Sequence, residues 1–411
     1  MIEKIVKLSD LCKEDSIGLY GIPATAEEYS ENKVRYLRIT DINDDGTINN
    51  ADMKSVSDEN LEKYMLRPGD IVFARTGNST GRSYLYDEKD GEFAFAGFLI
   101  KYGLDENKIN PTYVRYFTIS NYYKQWVSNL SSGSTRGNIS AQTFADCPII
   151  VPSRKQQDYL ATVLSTIDKR IENLRAQNRV LEQTAKAIYD YTFLQCAGHK
   201  TTYNKTLNRN IPASWEIKTL GDILSVSKES LNPQKYPEKQ FKHFSIPSFD
   251  DNRSYSLEKG KDIYSNKFIV SDKHVLISKL NPWKNRAVWC AESENAIGST
   301  EFVTLLPHKL EDKAFIFSIV KSDSFIEYCS DAATGTSHSH RRVSPDIMMK
   351  FPIAYDEKTV TKFNVQVTPL FKKQLVNTKQ IEALTTQRNT LLPLLMTGQI
   401  NIKLYRYENG K

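Results

Sequence analysis

The amino-acid sequence predicts an α/β (α+β) protein with two globular domains in a pseudo-twofold arrangement, separated by two long antiparallel coiled-coil helices. Three observations lead to this prediction. The same order of motifs occurs in both halves of the 411-residue chain, a long helical pattern follows each set, and short alternating runs typical of strands fill the rest. We expect these boundaries: a globular domain at 1–152, a long helix at 153–197, a linker at 198–210, a second globular domain at 211–355, a second long helix at 356–397 and a tail at 398–411.

Motifs in the two halves can be aligned with one another. The segment VKLSDL near the start matches IKTLGDI in the second half when Leu8 is placed on Leu220. Two later pairs share a separation of 204 positions: Ser140 with Ser344, and Pro148 with Pro352. Solenoid repeats are about 20–50 residues long, so a period near 200 indicates a duplicated domain instead.

Each half also contains the same sequence of local elements. The runs GDIVFART and KHVLISKL alternate apolar and polar residues between turn formers, which predicts strands. The segments NPTYVRYFTISNYYKQWVSNL and DKAFIFSIVKSDSFIEYCS predict shorter helices that follow those strands.

The long helices are predicted by capping and heptad spacing. Ser153 and Gln156 form a capping box, and Asp356 provides the N-cap of the second helix. Side chains at alternating steps of four and three then form a seam in the first helix: Leu164, Ile167, Ile171, Leu174, Asn178 and Leu181. The second helix is less regular, and its seam residues are Ile381, Leu384 and Leu391. Each helix lacks a complete core of its own, so we expect the two to pack on one another. Asn178 favours a single register, or else marks a locally exposed turn.

Composition narrows the classes of function. The net charge of +6, from 55 basic and 49 acidic residues, permits an acidic partner without requiring one. The 22 tyrosines suit contact with nucleic acid, and equally they suit strands. Five scattered cysteines are typical of reduced intracellular thiols. No apolar run is long enough to span a membrane, so we expect a cytoplasmic protein without a membrane partner.

A serine nucleophile is suggested by the string GNSTG, which fits G-x-S-x-G with Ser79 at its centre. A nucleophile elbow needs a helix directly after the turn. The residues RSYLYD that follow Gly81 have the pattern of a strand. We therefore interpret GNSTG as the end of a hairpin and not as a catalytic motif.

Other catalytic and metal sites are disfavoured for similar reasons. Asp346 and Asp356, with Lys358, resemble a metal-nuclease set, but the first half has no matching pair. His338 and His340 alternate in a loop without a third ligand nearby, which is weak evidence for a metal. NPWK lacks the second proline of an aminomethyltransferase motif, and no Walker loop occurs. We expect no catalytic residue, no metal and no cofactor in this chain.

Four polar, mostly glycine-bearing loops are the repeated feature that a packed core does not explain. They hold the residue types that duplex DNA requires: Arg and Lys for phosphates and guanine, Asn for adenine, Ser and Thr for phosphates. The candidate DNA-binding residues are Arg75, Thr76, Asn78, Ser79, Thr80 and Arg82; Ser134, Thr135, Arg136 and Asn138; Lys279, Asn281, Lys284, Asn285 and Arg286; and Thr336, His338, His340, Arg341 and Arg342. Ordinary solvated turns are the alternative for each loop.

The order of several motifs resembles the specificity subunit of type I restriction-modification systems across essentially the whole chain. These motifs are RPGDIVFARTGNSTGR, QQDYLATVLSTIDKRIENL, IPASWEIKTLGDI and LLPLLMTGQI. The resemblance implies that 1–152 and 211–355 are target-recognition domains, each of which reads one half of a split double-stranded DNA sequence. It also implies that the helices dock methyltransferase (modification) subunits and that restriction/translocase subunits join them.

By the same resemblance, this chain is a non-catalytic subunit. Adenine-specific DNA methylation and ATP-dependent endonuclease activity, with S-adenosylmethionine, ATP and Mg²⁺, would belong to partner subunits. Two alternatives remain open at this point. One is a recognition subunit or fragment of a related restriction or methylation enzyme, and the other is a coiled-coil protein-interaction adaptor that has no role with nucleic acid.

Overall fold

Many of the short strands in the first half of the chain contain β-branched or aromatic residues. A computed structural model describes residues 4–131, 138–335 and 340–396. The chain divides into two units, unit 1 (Met1–Glu172 with Glu382–Lys411) and unit 2 (Asn173–Ile381). The strands and helices of unit 1 that precede the first long helix are β1 (Lys4–Lys7), β2 (Cys12–Tyr20), β3 (Glu27–Glu28), β4 (Arg35–Leu37), β5 (Lys54–Ser55), β6 (Asp70–Ala74), β7 (Ser83–Leu85), β8 (Phe93–Phe95), β9 (Leu99–Leu104), α1 (Pro111–Phe117), α2 (Asn121–Ser131), α3 (Ala141–Ala145) and β10 (Pro148–Val151).

Unit 1 contains two four-stranded sheets and a separate strand pair. One sheet has the order β2-β9-β6-β7, the other has the order β3-β5-β4-β8, and β1 pairs with β10. Every residue of β6 is buried, so this strand lies in the interior of its sheet. Its Phe73 stacks on Phe144 with ring centres 5.0 Å apart, which joins the sheet to α3.

The first long helix, α4 (Arg154–Tyr189), begins at the predicted capping box. The Ser153 N–H donates to Gln156 Oε1 over 3.1 Å, and the Gln156 N–H donates back to Ser153 Oγ over 3.4 Å. The last turn, Asp190–Leu194, has π-helical hydrogen bonding.

Unit 2 repeats this plan. Its elements are β11 (Thr201–Asn204), β12 (Arg209–Pro212), β13 (Glu216–Thr219), β14 (Leu224–Ser227), β15 (Ser230–Leu231), β16 (Gln240–Phe244), α5 (Ile246–Asn252), β17 (Ser256–Lys259), β18 (Lys267–Ile269), β19 (Val275–Ser278), β20 (Ala287–Trp289), β21 (Ala296–Gly298), β22 (Phe302–Pro307), α6 (Lys313–Lys321), α7 (Asp323–Asp331), α8 (Pro345–Met349) and β23 (Pro352–Tyr355). The sheet order β14-β22-β19-β20 is the counterpart of β2-β9-β6-β7 in unit 1. The stretch that we expected to be a linker contains the hairpin β11–β12.

Backbone registers support the alignment of the two halves. Strand β1 pairs with β10 so that Lys7 faces Pro148, and β13 pairs with β23 so that Thr219 faces Pro352. The N–H of the next residue, Leu8 or Leu220, donates to the carbonyl before the proline over 3.0 Å and 2.9 Å respectively. The predicted duplication of the fold is therefore present in the structure.

The second long helix, α9 (Glu357–Met396), packs on α4. It begins where predicted, because Asp356 accepts a hydrogen bond from the Thr359 N–H over 2.9 Å. In unit 2 the Tyr189 ring lies 6.0 Å from that of Phe363, and Asn178 contacts Gln374 and Thr378. Contacting residues have increasing numbers along α9 and decreasing numbers along α4, so the two helices are antiparallel.

The seam residues differ in burial. Leu164, Ile167, Ile171 and Leu174 are buried, whereas Asn178, Leu181, Ile381, Leu384 and Leu391 are half-buried. The Asn178 carboxamide takes part in an amide cluster with Asn377, which donates to its Oδ1 over 2.9 Å. No helix in the described part of the chain has the length and apolar character needed to cross a membrane.

Candidate nucleic-acid interface

The first candidate loop joins β6 to β7 and ends a hairpin. The Ala74 N–H donates to the Arg82 carbonyl, and the Gly81 N–H donates to the Ala74 carbonyl, both over 2.8 Å. Gly81 has φ +84°, and a Cβ there would lie 2.6 Å from Val127 Cγ1, so the tight turn requires glycine. The strand predicted after this loop is present as β7, and Ser79 is buried within the turn. GNSTG therefore lies in a hairpin loop and is not followed by the helix of a nucleophile elbow.

The second candidate loop of unit 1 is hydrogen-bonded to the first loop at Arg75. The Ile139 N–H donates to the Arg75 carbonyl over 2.9 Å, and Arg75 Nε donates to Asn138 Oδ1 over 3.1 Å. The Arg75 guanidinium also lies 5.0 Å from the ring centre of Tyr20, which is partly exposed. These contacts hold a half-buried arginine in one orientation at the end of β6.

Arg82 lies at the other end of the β6–β7 loop. Its Nε donates to Asp44 Oδ1 over 2.6 Å, and its Nη1 donates to the Ile42 carbonyl over 3.1 Å. The side chain is 30 % exposed. Its charge is thus partly compensated and partly available to solvent.

The equivalent loop of unit 2 joins β19 to β20. The Ser278 N–H donates to the Arg286 carbonyl over 2.9 Å, as the Ala74 N–H does to Arg82 in unit 1. Arg286 donates to both carboxylate oxygens of Asp250, over 2.6 Å and 2.7 Å, and its side chain is 4 % exposed. The Arg286 guanidinium hydrogen-bonds this carboxylate and lowers the pKa of Asp250 below its ordinary value.

The second loop of unit 2 is tied to the first by its backbone. The Asn281 N–H donates to the Arg341 carbonyl over 2.7 Å, and the Arg341 N–H donates to Asn281 Oδ1 over 3.1 Å. Arg342 donates through Nε and Nη2 to the two carboxylate oxygens of Glu301, over 3.0 Å and 3.1 Å. This paired carboxylate orients a largely exposed arginine.

The predicted DNA-binding residues fall into four groups. Asn78, Asn138, Lys284, His340 and Arg342 are exposed. The half-buried residues are Arg75, Thr76, Thr80, Arg82, Lys279, Asn285 and Arg341. Ser79, Asn281 and Arg286 are buried. Ser134, Thr135, Arg136, Thr336 and His338 lie outside the described residues.

Sequence reasoning missed several neighbours of these loops. The fold brings five residues to the loops from distant positions in the sequence: Tyr20, Asp44, Phe98, Asp250 and Glu301. A signal for Asp44 and Asp250 was available, because acidic turns occur at corresponding places in the two halves. Phe98 and Glu301 carried no signal before the pairing of strands was known.

Potential metal ligands and thiols can be located within the described residues. Within residues 4–131, 138–335 and 340–396, no three His, Cys, Asp or Glu side chains form a group that could hold a metal ion. All five cysteines are buried as free thiols, and burial raises the pKa of Cys12 and Cys290 to about 12.

Comparison with known proteins gives a consistent picture. The family model for the type I restriction modification DNA specificity domain matches residues 3–183. The MjaIX specificity subunit of a type I restriction enzyme from Methanocaldococcus jannaschii is 29 % identical over 307 residues, which are 71 % of this chain and 69 % of that protein. The putative MjaX specificity subunit of the same organism is 24 % identical over 370 residues, which are 85 % of this chain and 83 % of that protein.

The fold also has a solved counterpart. The S subunit of a type I restriction-modification system from M. genitalium superposes with a TM-score of 0.59 and 15 % identity, over 96 % of each chain. The fold is thus that of two β-rich domains joined by two long, packed helices. From the family model over residues 3–183, the two relatives and this fold together, the chain is similar to the DNA specificity subunits of type I restriction-modification systems, which are the non-catalytic parts of those systems.

Proposed function

We propose that each unit reads one half of a bipartite double-stranded DNA target through its pair of loops. The observation that carries this proposal is that one backbone arrangement of two loops occurs in both units, and that arginine or lysine follows the central strand in each, at Arg75 and Lys279. Cations at equivalent places on a duplicated scaffold suit two separated stretches of one polyanion.

Within each loop pair, burial separates two roles. The exposed and half-buried cations and amides contact phosphates and base edges. The buried residues Ser79, Asn281 and Arg286 hold the loops in shape, because their polar atoms are already enclosed by the protein. Ser134, Thr135, Arg136, Thr336 and His338 belong to the contacting set by their position in the sequence.

The long helices supply the spacing and the docking surface in this proposal. Both α4 and α9 contribute residues to each unit. Val180, Val365 and Val376 are exposed apolar side chains on the helices, which suits a protein partner. That partner is the methyltransferase subunit, and restriction/translocase subunits join the assembly.

The reactions themselves take place on those partners. S-adenosylmethionine, ATP and Mg²⁺ bind there, and an adenine is flipped out of the helix for methylation. The assembly works in the cytoplasm. The boundaries 1–152, 153–197, 198–210, 211–355, 356–397 and 398–411 describe its recognition domains, helices, linker and tail.

Salt-dependent binding of the full chain to duplex DNA tests the proposal. The variants Arg75→Ala and Lys279→Ala remove one loop cation in each unit; Lys63→Ala and Lys235→Ala remove exposed lysines outside the loops. A lost phosphate contact lowers the slope of log K against log salt by about 1, and a lost base contact costs about 1–3 kcal/mol. The controls should match the wild type. A protein complex insensitive to salt, with no retention of DNA, would instead favour the coiled-coil adaptor.

A further inference from the structure

In unit 1, Phe98 lies directly opposite Arg75. Strands β6 and β9 pair so that Ala74 faces Leu99, and the ladder continues by one step because the Arg75 N–H donates to the Phe98 carbonyl over 3.0 Å. Residues opposite one another in an antiparallel ladder project from the same face. The backbones of Phe98 and Arg75 are therefore adjacent, and the Phe98 side chain is 60 % exposed.

In unit 2, the same hydrogen bond places Glu301 at this position. Strands β19 and β22 pair so that Ser278 faces Phe302, and the Lys279 N–H donates to the Glu301 carbonyl over 3.0 Å. The Val343 N–H donates to the Lys279 carbonyl over 3.1 Å, as the Ile139 N–H does to Arg75 over 2.9 Å. The backbone is thus equivalent in the two units.

Side chains on this shared backbone divide into constant and variable ones. The arginine that closes the loop is the same in both units and has an aspartate partner in each: Arg82 with Asp44, Arg286 with Asp250. Three other positions differ: Arg75 and Lys279, Phe98 and Glu301, and Asn138 and Arg342. If the two units read different half-sites, the residues that differ between the units must be the ones that select different bases.

We infer that the position occupied by Phe98 in unit 1 and by Glu301 in unit 2 determines which base each unit accepts beside its arginine. This inference rests on the proposed function. In unit 1, the exposed ring of Phe98 contacts the C5-methyl group of a thymine in the major groove, at the position whose backbone is hydrogen-bonded to Arg75. The Asn138 amide and the Tyr20 ring keep the Arg75 guanidinium in place.

In unit 2, Glu301 is a positioning residue. Its two carboxylate oxygens accept Nε and Nη2 of Arg342, which leaves Nη1 directed away from the ion pair. An arginine held in this way donates to guanine at a fixed angle. The two units therefore accept different bases although their backbones are equivalent.

Selection of bound duplexes from a randomised library tests the inference with the full chain and its methyltransferase partner. Phe98→Ala should reduce the preference for thymine at one position of one half-site about fourfold, because burial of one methyl group contributes about that factor. Glu301→Ala should lower the preference for one guanine in the other half-site by roughly tenfold, within the range for a lost bidentate contact. Glu301→Gln keeps an oxygen acceptor for Arg342 and should retain most of that preference. Tyr29→Ala removes another exposed aromatic side chain of unit 1 and should select the wild-type sequence.

Deoxyuridine, which lacks only the methyl group of thymine, sharpens the test. Its substitution at the affected position should weaken the wild-type complex about fourfold and leave the Phe98→Ala complex unchanged. Wild-type profiles from both Phe98→Ala and Glu301→Ala would overturn the inference and leave the proposed function intact. A change in both half-sites from either variant would also overturn it. A wild-type chain that selects no sequence would overturn the proposed function and this inference together.

Discussion

Arg82 in unit 1 and Arg286 in unit 2 occupy equivalent places, yet their side chains are 30 % and 4 % exposed. Both carry an aspartate partner, and both close the loop after a central strand. In unit 2 the buried Arg286 makes two hydrogen bonds to a half-exposed Asp250, whereas in unit 1 Arg82 makes one hydrogen bond to Asp44 near solvent. The duplicated backbone thus accommodates different packing around the same type of ion pair.

The contacts between α4 and α9 also differ between the two units. In unit 1, α4 and α9 are joined by an ion pair from Asp168 to Arg388, with Tyr116 donating to the same carboxylate over 2.7 Å. In unit 2 they are joined by aromatic contacts at Tyr189 and by the amide cluster of Asn178 and Asn377. Four predictions test how much each of these differences matters.

The largest effect is expected at the buried ion pair of unit 1. Asp168→Ala should lower the free energy of unfolding by about 3 kcal/mol, because the buried Arg388 guanidinium loses its 2.9 Å partner and keeps the more distant Asp45 carboxylate, 3.8 Å away. Glu172→Ala, on the same helix, removes an exposed carboxylate 3.3 Å from Lys89 and should cost less than about 1 kcal/mol. Denaturant unfolding measures both, and equal losses would show that the ion pair is not what holds the helices in unit 1.

The next largest effect concerns the first residue of α6, which differs from the first residue of the equivalent helix α1. Helix α6 begins with Lys313 where α1 begins with Pro111, and burial lowers the pKa of Lys313 from 10.5 to about 8. Between about pH 8 and 10.5 the unfolded chain keeps a proton that the folded chain has released, so stability rises with pH in that window. Across this pH window, the free energy of unfolding of the wild type should increase by up to roughly 3 kcal/mol relative to that of Lys313→Met. Parallel stability curves for the two proteins would contradict this.

A smaller effect should distinguish the two loop arginines. Asp250→Ala should cost about 1.5–3 kcal/mol, because it removes charged hydrogen bonds from the buried Arg286. Asp44→Ala should cost less than about 1 kcal/mol, since Arg82 remains partly solvated and keeps the Ile42 carbonyl. Thermal unfolding of the two variants side by side checks the order. The reverse order would mean that exposure does not govern these pairs.

The smallest effect concerns the amide cluster in unit 2. Asn178→Ala should cost roughly 1–2 kcal/mol, because the fully buried Asn377 loses its 2.9 Å acceptor. The double variant Asn178→Leu with Asn377→Leu should recover that stability, since both amides are replaced together. A recovered stability with unchanged DNA selectivity would show that the amides are not needed for register. If the double variant did not recover the lost stability, the shape of the two side chains, and not their hydrogen bonding, would determine stability at this position.

The fold could largely be predicted from the sequence because its signals are local. Ser153 with Gln156 and the alternation in GDIVFART depend on residues within a few positions of each other, and the structure contains the predicted cap and strand. The hairpin at Thr201–Pro212, in the expected linker, was missed because its residues have no strong alternation.

The candidate site was harder to predict because its contacts join distant parts of the chain. The polar loops were visible as clusters of Arg, Asn, Ser and Gly, but the burial of Arg286 depends on Asp250, and the setting of Arg75 depends on Phe98 and Tyr20. Loop composition predicts charge and hydrogen-bonding capacity. Strand pairing decides which of those groups reaches the surface.

Mapping of methylated sites on genomic DNA tests the central claim most directly, in cells that carry the full chain with its methyltransferase partner. We expect a motif of two parts separated by unread bases, in which Arg75→Ala weakens methylation through one part and Lys279→Ala through the other. A single continuous motif, or equal loss at both parts from either variant, would contradict the central claim.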